Sequence, residues 1–410
     1  MDFLSVVYLL YIFVALYFLA IYILLYVQNK SRLYEIIEPN KEYELSIVVP
    51  CYNEADTIGK NIECLLESNY KGLKKIIVVD DCSQDNSFEI IKQYAKKYPS
   101  RVIALQTPKN TGCAAGPKNF GSKMVKTELI GFSDADSFPK KDAINKMVGF
   151  FNDSRMGAVT SRVLVNNEIN KLTKIQAIEY KVIALTRKLL SFVDSVYVAN
   201  GPLSIYRLEG FKEVGGFDEK NLTEDIELTW HFVAKGWKVQ MSLPSDAPTT
   251  VPEKIKPWFK QRIRWNIGGI QTVVKYRKKV LEMGMLGLFI IPFFILSWFL
   301  GVFGLFFLAY RLINFISLKF LILKYSLSSQ VAIIRAGDFN LNPSVLFFFG
   351  LFFFMISFAF TIVSMIHSKE KNFSFKDVLD IFIYSFFYLL TYPPILIWSF
   401  YKYLKKEHKW

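Results

Sequence analysis

Three acidic clusters and one basic, aromatic string carry the chemistry available to this chain. Asp134-Ala-Asp136 sets two carboxylates two residues apart behind an apolar run. At a strand end the turn can bend both toward one divalent ion, Mg²⁺ or Mn²⁺. Such an ion bridges phosphate oxygens and neutralises charge on a departing diphosphate. A D-x-D string also arises by accident, and what raises this one is a second acidic strand end, Asp80-Asp81, in the same stretch. A carboxylate there can accept hydrogen bonds from a uracil imide or ribose hydroxyls; an aspartate that merely closes a turn is the plainer explanation. Thr223-Glu224-Asp225 opens an apolar-periodic segment, and its residue types suit a helix start, so capping competes with a chemical role. In the chemical reading Asp225 is a general base that takes the proton of an acceptor hydroxyl attacking an anomeric carbon, and the helix N-terminus keeps it ionised. Gln261-Arg-Ile-Arg264-Trp265 lies on a basic helix beginning after Pro257. Such residues commonly anchor to lipid; the sharper alternative gives Arg264 to a diphosphate and lets Trp265 stack on a sugar.

Positioning these groups requires a sheet. Leu45 to Pro50 and Lys75 to Asp80 are short β-branched runs separated by a helical stretch from Thr57 to Ser68, a βαβ unit. Val102 to Gln106 and Leu129 to Ser133 continue the alternation around a helix over Ala114 to Val125, which predicts a mostly parallel sheet. Ligands sit at the carboxyl ends of such strands. That rule selects Pro50 to Glu54, Asp80-Asp81 and Asp134 to Asp136. Ala158 to Arg162 reads as another strand. Lys171 to Phe192 reads as a helix whose stripe of Leu172, Ile175, Ile178, Val182, Leu185 and Leu189 packs on the core or meets a membrane surface.

The 410 residues are 52% hydrophobic, too apolar for an ordinary soluble enzyme, and the excess lies at the two ends. Phe3 to Val27 is long enough to span a bilayer and reads as a retained membrane helix; no basic stretch precedes it as in a signal peptide. Apolar runs return over Leu286 to Leu308, Val345 to Ile366 and Leu379 to Phe400. Lys30 and Arg32, with Lys275, Arg277, Lys278 and Lys279, place the middle in the cytoplasm and the N-terminus outside. Three simple C-terminal spans would then leave the basic tail Lys402 to Lys409 outside, against the same rule. One later segment is therefore expected to depart from a simple span: Arg311 to Lys324 as a short or interface-lying piece, or Pro393-Pro394 as a break that makes the last span re-entrant or kinked. The net charge of +14 is read as contact with lipid headgroups and anionic sugar nucleotides, with no nucleic acid. Cys51, Cys64, Cys82 and Cys113 lack C-x-x-C spacing and read as reduced and structural.

Taken in order, the pieces resemble the family-2 glycosyltransferases of the GT-A fold, and specifically the membrane synthases of cellulose, chitin, hyaluronan and poly-N-acetylglucosamine. The resemblance runs from about Leu45 to Lys279. It is carried by Val49-Pro-Cys-Tyr-Asn-Glu54, Val79-Asp-Asp-Cys-Ser-Gln-Asp85, Asp134-Ala-Asp136, Asn200-Gly-Pro-Leu203, Thr223-Glu-Asp225 and Gln261 to Trp265. It implies a Rossmann-like α/β GT-A domain with a mostly parallel sheet, joined to transmembrane helices. Pro50, Tyr52, Glu54, Asp80, Asp81, Lys118, Asp134, Gln261 and Arg264 would then face the nucleotide-sugar donor, with Asp80 or Asp81 on the uracil. Asp136 with Asp134 would hold the metal, Asp225 with Glu224 would do the catalysis, and Trp265, Asn200, Gly201 and Pro202 would face the acceptor.

The implied reaction is an inverting transfer of a hexose or N-acetylhexosamine from a UDP-sugar to a growing β-linked polysaccharide. It is processive, with extrusion through the chain's own helices in a plasma membrane and an export or accessory subunit as a possible partner. The alternative is one addition to a polyprenyl phosphate or other lipid. Where processive members show Gly-Lys-Ala, this chain has Gly112-Cys-Ala-Ala-Gly-Pro-Lys118-Asn, closer to single-transfer relatives. A transporter with a regulatory nucleotide-binding domain is the third reading, and the scarcity of charge in the spans counts against it. The corresponding domains are 1–29 as a membrane helix, 30–253 as a cytosolic transferase domain, 254–282 as an amphipathic interface helix and 283–410 as a membrane region of about three spans.

Overall fold

A computed structural model describes residues 3–329, 345–367 and 374–407. It opens with the apolar helix α1 (Phe3–Asn29). The α/β unit follows as β1 (Leu45–Cys51), α2 (Ile58–Leu66), β2 (Leu73–Asp80), α3 (Ser87–Lys97), β3 (Val102–Gln106), α4 (Ala115–Ser122), β4 (Leu129–Phe132) and α5 (Asn145–Val148). Then come β5 (Met156–Val165), α6 (Lys171–Ser191), β6 (Ser204–Arg207), α7 (Leu208–Glu213), α8 (Glu224–Ala234) and β7 (Lys238–Thr249). The chain closes with α9 (Ile255–Tyr276), α10 (Ile291–Ser329), α11 (Val345–Ile366) and α12 (Phe375–Leu404).

The strands form one seven-stranded sheet in the order β3-β2-β1-β4-β6-β5-β7. β1 pairs in parallel with β2 on one side and β4 on the other, while β6 runs antiparallel to both its neighbours. The expected mostly parallel sheet is thus present, with one reversed strand that the sequence pattern did not announce. Ile47, Val48 and Val49 of β1 and Ile76, Val78 and Val79 of β2 are completely buried, as continuous β-branched runs covered on both faces should be. Since successive strands go from β1 to β2 on one side and later to β4 on the other, the ends of β1 and β4 flank a topological switch point, where a crevice opens for ligands.

Helix α6 carries the expected apolar stripe, and the core-packing alternative is the one seen: Ile175, Ile178, Leu185 and Leu189 are buried, and the helix packs against β5 and β7 as well as α1, α11 and α12. Its start is fixed by Asn170, whose side chain accepts from Thr173 N while Thr173 Oγ1 receives the Asn170 N–H, two orphan donors satisfied at once. Helix α9 begins at Ile255, three residues earlier than expected. Pro257 therefore sits in its first turn, where a missing N–H leaves no bond unmade.

Among the described residues three helices are long and apolar enough to cross a membrane, Val6–Arg32, Leu286–Ser328 and Lys376–Leu404, and α11 adds a shorter apolar stretch, Phe354–Ile366. Neither expected irregularity takes the form anticipated. Arg311 to Lys324 is no separate segment but the continuation of α10, a single helix of 39 residues, because three isolated cations do not interrupt a run of helix-compatible apolar residues. Pro393 and Pro394 lie inside α12, which runs through them without a break. The prolines deprive the carbonyls of Leu389 and Leu390 of their usual donors. The helix is held by packing just beyond, where Ile395 and Leu396 are fully buried. Of the basic tail, residues 408–410 lie outside the described residues.

Candidate active site

The crevice begins at two loops clipped together. Asn53 and Cys82 both adopt positive φ, 54° and 60°, where the chain turns sharply out of β1 and past β2. Asn53 N donates to Ser83 Oγ and its Oδ1 accepts from Gln84 N, while Glu54 N donates to Ser87 Oγ and Ala55 N to Asp85 Oδ2. Tyr52 is left exposed on the rim, beside the half-buried Pro50.

Asp80 and Asp81 are both buried yet differently engaged. Both oxygens of Asp81 are taken up by Thr107 Oγ1 and by the N–H and hydroxyl of Thr111. Asp80 Oδ2 accepts from Ser83 N and Gln106 Nε2, whereas its Oδ1 has no partner. A buried acceptor without a donor is costly, and among these two carboxylates only Asp80 retains one.

Beyond β4, the loop bearing Asp134 and Asp136 is strapped from below by Asn61 of α2. Its fully buried amide donates to Ser133 Oγ, Asp134 O and Ser137 O. From the other side come residues 200–202: Asp134 N donates to Gly201 O, and Ser133 Oγ to Pro202 O. Gly201 is required by space, since a Cβ there would stand 2.1 Å from Asp134 Oδ2. Asp136 accepts from Ser137 Oγ and Thr249 Oγ1, and burial together with the charges of Asp134 and Glu54 pushes its carboxyl up to about 7. Burial likewise raises Glu54.

Lys118 joins this loop to α8. Its ammonium is buried and lies 2.8 Å from Glu224 Oε1 and 3.5 Å from Asp134 Oδ1. Burial works against its charge, but Glu224 and Asp134 outweigh it and hold the amine above its usual range. Glu224 answers in kind: burial raises its carboxyl, and Lys118 brings it below the ordinary value. Asp225 makes no ion pair among the described residues. Burial and the adjacent Glu224 push it up to about 6, against the pull of the more distant Lys118. Thr223 stands at the N-cap position of α8 without a side-chain cap bond, while Asp225 Oδ1 accepts the first-turn N–H of Ile226 at 2.9 Å and so also serves the helix start.

Helix α9 lies across this end of α8. Gln261, Arg264, Trp265 and Gly268 recur at three and four residues and share a face. A Cβ on Gly268 would fall 2.1 Å from Thr223 Oγ1, so the missing side chain lets the two helices meet beside Glu224 and Asp225. The charge of Arg264 reaches Glu224 and helps keep it ionised. Asn200 is held elsewhere: its Oδ1 accepts from Thr160 Oγ1 and from Arg187 Nη1 at 2.9 Å, and no hydrogen bond links it to Trp265 among the described residues. The structure therefore brings Glu54, Lys118, Asp134, Asp136, Glu224, Asp225 and Arg264 into one linked group, with Asp80 at the end of the neighbouring strand β2. Asn61, Gln106, Thr111, Thr160 and Arg187 complete the surroundings without any motif to reveal them; polar residues inside otherwise apolar elements were the available signal.

Residues 46–215, which carry the β1, β2 and β4 ends of this crevice and the Gly201 loop, match the model of glycosyl transferase family 2; Glu224, Asp225 and helix α9 lie beyond the matched residues. The chain contains a family-2 glycosyltransferase domain. The glycosyltransferase unit has the Rossmann-like GT-A fold, consistent with a mannosyltransferase from Pyrobaculum calidifontis solved with GDP-Man and Mn²⁺. The two superpose with a TM-score of 0.59 at 16% identity, over 87% of this chain and 97% of that one. Beyond the domain, the chain is homologous over most of its length to poly-β-1,6-N-acetyl-D-glucosamine synthases. It is 26% identical over 383 residues to the one from Staphylococcus epidermidis, covering 92% of this chain and 88% of that protein. The synthase from Staphylococcus aureus strain MSSA476 is 30% identical over 233 residues, 56% of each chain.

Proposed function

We propose that the chain is a membrane glycosyltransferase that extends a β-linked polysaccharide of N-acetylhexosamine units from a UDP-sugar donor. The observation that carries this reading is the division of labour at the start of α8: Glu224 is tied to Lys118, and the adjacent Asp225 is unpaired and raised toward neutrality. A base matched to the working pH is what an acceptor hydroxyl needs. The homology to named polysaccharide synthases supplies the substrate class.

In this reading the uracil lies against the Asp80 end of the crevice, where an unpartnered carboxylate oxygen suits an imide N–H. The diphosphate lies between the Asp134–Asp136 loop and Arg264. The two carboxylates, crowded enough to raise Asp136, form a donor set suited to a hard divalent cation, Mg²⁺ or Mn²⁺. No group of three or more His, Cys, Asp or Glu among the described residues could hold the ion unaided, which fits a site completed by donor phosphates. Bound there, the ion would neutralise charge on the leaving diphosphate. Asp225 takes the proton of the acceptor hydroxyl as its oxygen bonds to the anomeric carbon. The bond from that carbon to the diphosphate breaks on the opposite face, so the configuration inverts. Trp265 offers a ring for the acceptor sugar, and Gln261 lies beside the donor. Lys30, Arg32 and the cations from Lys275 to Lys279 support a cytosolic position for the domain.

The test is the product. Membranes containing the chain are incubated with labelled UDP-N-acetylglucosamine and Mn²⁺. Size-heterogeneous, hydrolase-sensitive material supports the proposal, and an organic-soluble monosaccharide lipid would replace it with single addition.

A further inference from the structure

The motif helix has a second face, and it holds a charge that the transfer chemistry does not use. Arg262 is 2% exposed, although a guanidinium stays ionised and tolerates burial only when paired and hydrogen-bonded. Its partner is Glu179 of α6, which meets Arg262 Nη2 and accepts the Tyr388 hydroxyl of α12 at 2.5 Å. The other arm of Arg262 turns inward: Nη1 donates to Gln261 Oε1 at 2.9 Å, and the guanidinium lies 4.0 Å from the centroid of the Trp265 ring, within cation–π range. One turn along both helices, Tyr392 donates to Asn266 Oδ1 at 3.2 Å, and Asn266 donates back to Arg262 O. The surroundings are otherwise apolar, with the Trp258 ring 5.0 Å from that of Phe387. Apolar packing alone tolerates sliding, whereas one polar bond from Tyr392 straight to α9 and a second from Tyr388 through Glu179 of α6 to Arg262 admit one register of α12 on α9.

We propose that Arg262 and Glu179 are positioning residues: they lock the membrane helix α12 to the Gln261–Trp265 face of α9 and so hold both motif side chains in their working orientation. The inference rests on the reading of that face as part of the transfer site. Arg262 touches no substrate; it acts through Gln261 and Trp265.

The test uses the full-length chain in nanodiscs, with 5-fluorotryptophan incorporated and the Trp265 and Trp237 resonances assigned by single Trp→Phe variants. Glu179→Gln, Arg262→Lys and the mild Tyr388→Phe should each move the Trp265 fluorine resonance and leave that of Trp237 in place. The first two should lower transfer turnover about tenfold, as small misplacements do, while UDP affinity changes less than about threefold. Glu179→Asp should recover part of the loss, and the Glu179→Gln/Arg262→Lys pair should be no worse than either single change, because both act through one contact. A Trp265 resonance that stays put in all three variants overturns the proposal, as does a loss of turnover matched by an equal loss of UDP binding. Should Trp265 respond as expected while the unaltered chain transfers no sugar from any UDP-sugar, positioning stands and the functional reading falls.

Discussion

Three residues within one short stretch of helix start, Thr223, Glu224 and Asp225, show how environment separates chemically similar side chains. Glu224 is tied to Lys118 and stays ionised; Asp225 makes no ion pair, and burial beside Glu224 pushes it up to about 6. If Asp225 is the base, it works only when deprotonated, so kcat/KM should be full above pH 7 and fall as pH drops through about 6. Asp225→Asn should reduce transfer by about 10²- to 10⁴-fold, flatten that acid limb and leave UDP binding intact, read by initial rates and calorimetry. The Asp134–Asp136 loop, read as the metal site, has its own signature. Protonated carboxylates do not ligate, and Asp136 stands at about 7 before any cation arrives. The Mn²⁺ concentration giving half-maximal rate should therefore rise as pH falls below 7, and Asp136→Asn should remove the dependence along with the activity. None of this pairing was legible in the sequence, where Lys118 and Glu224 stand more than a hundred positions apart. The string Thr-Glu-Asp showed acidity at a helix start; which acid is neutralised depends on the fold.

At the scale of elements, legibility followed burial. β1, β2 and β4 announced themselves because strands covered on both faces must be continuous apolar runs. β6 is only four residues, Ser204–Arg207, too short for a period to emerge. β7 contains Pro244, Asp246 and Pro248, all of which argue against a strand. It persists beside β5 through a shift of register between Ser161 and Arg162, and Asp246 is satisfied there by Arg162 and Lys140. The helix α2 hides its most consequential residue in the same way, since Asn61 looks like a polar interruption and is in fact the strap of the Asp134–Asp136 loop. Asn61→Ala should strand the Ser137 carbonyl, while Asp134 O keeps Ser137 N and Ser133 Oγ keeps Pro202 O, at about 1–3 kcal/mol for such a loss. The expected result is a lower melting temperature together with weaker Mn²⁺ binding. Gly268→Val should push α9 away from Thr223, lowering turnover and, since both residues are buried, the melting temperature as well, through about 1–3 kcal/mol of overpacking.

For the whole molecule, the catalytic and membrane parts are one packed body: α6 and α9 lie directly against α12, and α6 also meets α1 and α11. A fragment of residues 30–282 should accordingly expose the faces of α6 and α9 that these helices cover. It should elute as aggregate on size-exclusion chromatography unless detergent is added, in contrast to a domain that merely hangs from its anchor. The placement of apolar runs at both ends was readable from composition, but the extent of α10 was not, because Arg311, Lys319 and Lys324 look like the end of a span when the helix simply continues.

The two prolines of α12 bear on how this body behaves in a bilayer. The two missing backbone bonds, at Leu389 and Leu390, fall between the fastenings at Tyr388 and Tyr392 and the buried Ile395 and Leu396 just beyond. A soft joint pinned on both sides cannot swing freely. A change in the thickness of the surrounding lipid that tilts α12 should therefore be passed on to the catalytic side and not lost at the prolines.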